Sequence, residues 1–77
     1  MTILEHAVVV LRRDVPEHQL RSGDVGAVVH VYEGGKAYEV EFVTGSGRTL
    51  AVETLEASDI RPLADAEILH IRSFAAA

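Results

Sequence analysis

Four histidines, twelve carboxylates and four serines are the side chains of this 77-residue chain that could carry chemistry. Metal ligation by histidine needs close local spacing, two apart on a strand or four apart on a helix, or convergence in space. His6, His18, His30 and His70 have no such local spacing. A spatial pairing of His6 with His30 on neighbouring strands stays open, and separate surface or half-buried histidines are the simpler reading. Glu39 and Glu41 alternate with Tyr38, Val40 and Phe42. General acid–base work needs carboxylates in unlike environments inside a pocket. Two glutamates sharing a strand face are more simply a solvated face, or an acidic strip that meets a basic partner. Ser22, Ser46, Ser58 and Ser73 fall in loop, turn or tail, and none stands in a Gly-x-Ser-x-Gly elbow. The glycine-rich turns match neither a phosphate-binding loop nor a dinucleotide fingerprint. The expected catalytic, cofactor and metal sites are therefore none, and the chain reads as a binding protein.

The composition narrows the partner. The formal net charge is −5, from seven Lys and Arg against twelve Asp and Glu. Such a surface repels phosphate backbones, whose non-specific binding depends on counterion release to Lys and Arg. The balance favours a protein or small-molecule partner over nucleic acid. There are no cysteines, which removes disulfides, thiolate metal sites and cysteine nucleophiles and fits a reducing cytoplasm. No apolar run approaches the roughly 20 residues of a membrane helix, and the N-terminus lacks the basic stretch of a signal peptide. A cytoplasmic protein without membrane contact is expected. One domain of this size has a marginal core, so a partner or second copy would add needed area.

The elements that would position these side chains are short strands. His6–Leu11 is a β-branched apolar run, stopped by Arg12–His18, where Pro16 lacks a ladder donor. Leu20–Gly26 reads as a loop entering a tight turn. Val25–Tyr32 is a second strand, and Gly34-Gly35 marks a hairpin into Ala37–Val43. The turn Thr44–Gly47 leads to Arg48–Thr54, with Leu50 and Val52 expected on one face and Thr49, Ala51 and Glu53 on the other. Leu55–Asp59 suits a single 3₁₀ turn, and Ile60–Leu63 a short last strand. Short antiparallel strands at about 8–12 residue spacing, in a chain this short, predict an all-β protein folded as a small five-stranded barrel. The expected core is Val8, Val10, Val28, Val31, Tyr38, Val40, Phe42, Leu50, Val52, Leu55 and Ile60.

The division expected is a barrel over residues 1–63 and a C-terminal extension over 64–77 that packs on the barrel or in an interface. Ile68, Leu69, Ile71 and Phe74 in that extension have the spacing of one helix face. Glu67–Phe74 also fits an edge strand, and the alanines favour a short helix. These four side chains are the expected interface tail, with self-covering, homodimerisation and docking on a partner as the alternatives.

Two stretches carry a family likeness. The first runs from Val15-Pro16-Glu17-His18 through Gly23-Asp24-Val25-Gly26-Ala27-Val28-Val29-His30-Val31-Tyr32. The second joins Tyr38-Glu39-Val40-Glu41-Phe42, Thr49-Leu50-Ala51-Val52 and Leu55 through Ser58-Asp59-Ile60-Arg61-Pro62-Leu63. Together they resemble the bacterial family domain of unknown function 4926, over roughly Glu5 to Leu63. The resemblance implies an SH3-like barrel and no established activity, with members as small partner proteins of a two-gene toxin–antitoxin or immunity-like pair. Gly23-Asp24-x-Gly26-x-Val28 is also similar to the KOW motif of ribosomal and transcription-elongation proteins. With Pro16 and His18 before it, the same piece is similar to the barrel of the nitrile hydratase β subunit. The KOW likeness makes a nucleic-acid-binding domain the alternative function, with arginines on phosphates and tyrosines stacking. Fold alone does not decide between them. For either partner the expected contact residues are Arg12, Arg13, His18, Arg21, Tyr32 and Lys36, on the long loop and the Gly34-Gly35 turn, because loops on a rigid scaffold usually carry contacts.

Overall fold

A computed structural model describes residues 3–74 of the chain. Five antiparallel strands, β1 (Val8–Leu11), β2 (Val25–Tyr32), β3 (Ala37–Val43), β4 (Thr49–Glu56) and β5 (Ile60–Pro62), form one sheet in the order β4-β3-β2-β1-β5. One-turn 3₁₀ helices at Pro16–His18 and Ala57–Asp59 are the only helices among the described residues. The chain is thus all-β, as its alternation and turn chemistry predict. β4 and β5 are the two edges, and no ladder joins them, so the sheet is not closed by hydrogen bonds.

One face of the sheet builds the core. Val9 and Leu11 of β1, Val28 of β2, Tyr38, Val40 and Phe42 of β3, Ala51 and Leu55 of β4 and Ile60 of β5 form a single buried cluster. Side chains from all five strands can meet only if the sheet curls on itself. Gly26 lets it do so. A Cβ there would lie 2.7 Å from Val40 Cγ1 and 2.9 Å from the Glu41 carbonyl oxygen, so only glycine allows β3 this close. At the β2–β3 turn, Gly34 and Gly35 take φ of +68° and +102°, which a side chain would resist.

The core differs from the expected one in β1 and β4. In β1 the inward residues are Val9 and Leu11, and the expected Val8 is 45% exposed. All four residues of β1 are apolar, so the pattern sets no phase, whereas the pairing of Val9 with Gly26 does. Val10 is buried on the opposite face, outside the main core, beside Arg61. In β4 the inward residues are Ala51, Glu53 and Leu55, opposite Phe42, Val40 and Tyr38, while Val52 is 48% exposed. The register shift between Phe42 and Val43 absorbs Leu50 as an extra, half-buried residue and sets this phase. A similar shift between Val28 and His30 explains why Val28 and Val31 both turn toward the core despite their odd spacing.

The loop between β1 and β2 completes the core. Val15 and Leu20 exchange backbone hydrogen bonds of 2.9 and 3.1 Å around the Pro16–His18 turn, and both side chains are buried. Ile3 adds a further buried group.

The tail after β5 forms no helix among the described residues. It makes one turn at Asp65-Ala66 and then runs without regular structure to Phe74. Arg61 grips Glu67 through two hydrogen bonds of 2.7 and 2.6 Å, and Arg72 grips Asp24 through bonds of 2.8 and 2.6 Å. Two fixed points select the irregular path over a helix this short, which is marginal in water. Ala75–Ala77, part of the expected extension, lie outside the described residues.

Candidate functional site

The expected contact residues divide into two groups. Arg12, Arg13, His18 and Arg21 lie on the loop between β1 and β2, and Tyr32 and Lys36 lie at the β2–β3 turn, at the other end of β2 from Arg21. The loop is held from within. Arg13 Nε donates to Asp59 at 2.9 Å, fastening the loop to the second 3₁₀ turn. Asp59 also accepts the Glu56 amide at 3.0 Å, and the Arg13 hydrogen bond holds its carboxyl below the usual carboxylate range. His18 Nε2 lies 2.6 Å from the Glu53 carboxylate, bringing the loop against β4. Asp14 accepts the Ser22 amide at 2.8 Å. Arg12 and Arg21 expose their side chains, and Lys36 lies 3.8 Å from Glu33. Tyr32 meets His30 edge-on, with ring centroids 4.5 Å apart. These six residues therefore make no single convergent patch. Most of the loop's polar groups fix the loop itself.

The tail is a different surface. Ile68, Leu69 and Ile71 are 92, 61 and 89% exposed, whereas Phe74 is half-buried. Phe74, Leu69 and Ile71 line one wall of a cleft of about 480 Å³, and Leu20, Val25, Phe42 and Leu50 line the other. The Arg72–Asp24 pair stands at this cleft, and Arg72 Nη2 also donates to the Gln19 carbonyl at 3.0 Å. Burial pushes the Asp24 carboxyl up, but hydrogen bonds from Arg72 and the Arg21 amide outweigh it, so the group lies below its ordinary value. At the other fixed point, Arg61 and the Ala64 amide lower the Glu67 carboxyl to about 2. The tail therefore half-buries one aromatic group and holds three aliphatic ones out.

Sequence reasoning singled out the apolar tail residues but missed the groups that hold them. Asp24, Arg61, Glu67 and Arg72 carry no spacing signal, because their partners lie up to 48 positions away. The one available hint was Asp24 in its Gly-Asp-x-Gly setting. Among the described residues no three His, Asp or Glu side chains come together as metal ligands would. His6 takes φ of +71° and donates its amide to the Val28 carbonyl, and His30 lies 3.9 Å from Glu5.

No curated protein and no solved structure matches the chain. The family profile described as Domain of unknown function (DUF4926) matches residues 5–62, which takes in all five strands and ends before the tail. The chain belongs to that family.

Proposed function

We propose that this chain is a non-catalytic protein-interaction module of the cytoplasm, the small partner in a two-gene pair of the toxin–antitoxin or immunity type. One observation carries the reading: Ile68, Leu69 and Ile71 stand in water on a segment fastened at both ends to its own sheet. Burying each aliphatic side chain would gain about 1.5–3 kcal/mol. A fastened segment loses less conformational entropy on binding than a free one. The basic side chains support the same direction. Four of the seven cations, Arg13, Arg61, Arg72 and Lys36, lie within 4 Å of a carboxylate in their own chain, which reduces the positive charge offered to phosphates.

Affinity capture from the native host, with the full chain as bait, tests the proposal. One protein retained in stoichiometric amount by the wild type, and lost by Ile68→Asp/Ile71→Asp at unchanged melting temperature, is the expected result. Recovery of nucleic acid without protein overturns it. Solution mass of the purified chain identifies the case in which the tail's partner is a second copy.

A further inference from the structure

The face of the sheet turned away from the core is patterned as well. Register places Val8 opposite Ala27, Ala27 opposite Glu41 and Glu41 opposite Val52, so these side chains form one row across β1, β2, β3 and β4. His30, Glu39 and Thr54 form the next row. Val8, Val29 and Val52 are 45, 42 and 48% exposed and put aliphatic groups on both sides of β3. On the other side of the first row this face holds Val10 and Val25, and Val25, Val43 and Leu50 line the cleft that the tail borders.

Glu39 and Glu41 stand about 7 Å apart on β3. Their side chains accept hydrogen bonds from Thr54 and Thr49 hydroxyls, the latter at 2.6 Å. Among the described residues neither glutamate pairs with a Lys, Arg or His, whereas Asp24, Asp59 and Glu67 each hold an arginine. Two like charges sharing a strand face repel, and a cation between them relieves the repulsion. The aliphatic flanks make the same ground favourable for apolar side chains.

We propose that this outer face docks a basic and apolar segment of a protein partner, with a Lys or Arg between Glu39 and Glu41 and aliphatic side chains on Val8 and Val52. The charge sign selects the occupant, since a nucleic acid or an anionic membrane would be repelled by the same glutamates. The inference rests on the interaction-module reading and adds a second contact surface to the tail.

The test is an NMR titration of the full chain with a synthetic peptide of alternating lysine and valine, matched to the eight residues of β4. The expected result is saturable shifts at Ala27, Glu39, Glu41 and Val52 that weaken as salt rises. Glu39→Lys/Glu41→Lys, on the outer face, retains the fold and loses affinity at least tenfold. A glutamate–valine peptide that binds equally well, an unchanged affinity in the charge-reversed variant, or no shift on this face overturns the inference. Shifts confined to Ile68–Ile71 overturn it while leaving the tail reading standing. No shift anywhere, together with no protein captured from the host, removes both.

Discussion

The Arg72 guanidinium meets the Asp24 carboxylate through two hydrogen bonds, 2.8 and 2.6 Å long, across 48 positions of sequence. This pair joins the tail to the entry of β2, beside the apolar cleft. Arg72→Ala removes the anchor and should lower stability by about 1 kcal/mol, the upper part of the range for pairs that retain some solvent contact. Backbone NMR relaxation separates the tail from the sheet: residues 70–73, whose amides donate no backbone hydrogen bond, should gain mobility while β3 does not. An equal gain in both regions would mean that the tail and sheet loosen as one unit.

Val40 and Glu41 are neighbours on β3 with opposite surroundings. Val40 is fully buried, and Val40→Asp places an unpaired carboxylate in the centre of the core, which should unfold the domain. Glu41→Lys loses the bond from Thr49 and should cost about 1 kcal/mol or less. Thermal melting distinguishes the two, and identical curves would refute the face assignment of β3.

Gly26 and Gly45 make a matched pair of sites. An added methyl at Gly26 meets Val40, Phe42 and the Glu41 carbonyl within 3 Å, whereas at Gly45 it meets nothing within 4 Å. Gly26→Ala should therefore cost about 1–3 kcal/mol by overpacking. Gly45→Ala should leave the denaturation midpoint unchanged. A similar loss at both positions would rule out close β2–β3 packing as the cause.

Acid should loosen the tail before the core. The folded Glu67 carboxyl lies at about 2 against an ordinary 4.5, and Asp24 and Asp59 are lowered too. A carboxyl lowered by folding contributes stability that is present above its unfolded value and lost as pH falls through the folded one. For Glu67 the loss runs from about pH 4.5 down to about 2. Arg61→Ala should shrink the Glu67 part of this dependence, so the Glu67 carboxyl, followed by NMR, should titrate closer to its ordinary value, with the Ala64 amide still holding it below. A Glu67 titration unchanged in that variant would contradict the pairing.

The legibility of the chain followed the contrast between neighbouring residues. β3 could be phased because Tyr38, Val40 and Phe42 alternate with charged Glu39 and Glu41, and all three apolar groups are buried. β1 could not be phased, because every residue from Val8 to Leu11 is apolar. In β4 an inward Glu53 looked like a surface group, since the His18 that reaches it comes from a distant loop. Val15 and Leu20 sit among polar and loop-forming residues, and only the bridge between them reveals that this loop enters the core. The tail's apolar spacing suggested a helix, but Arg61 and Arg72 decide its path through partners that periodicity does not register. The same limit applies to the outer face: its row of Val8, Ala27, Glu41 and Val52 exists only once the strands are paired.

Strands β1 and β5 lie side by side, with Val9 opposite Pro62 and the Leu63 amide donating to the Val8 carbonyl at 3.3 Å. The points where the chain enters and leaves the sheet are therefore neighbours, although the matched segment spans residues 5–62 between them. A short linker could join those two points, and the exposed Gly45–Gly47 turn could be cut to create new ends. Every strand pairing would survive such a rearrangement. The order in which the strands occur along the chain is thus separable from the order in which they sit in space. A domain of this kind can be carried as an insert in the surface loop of another protein without distorting its host.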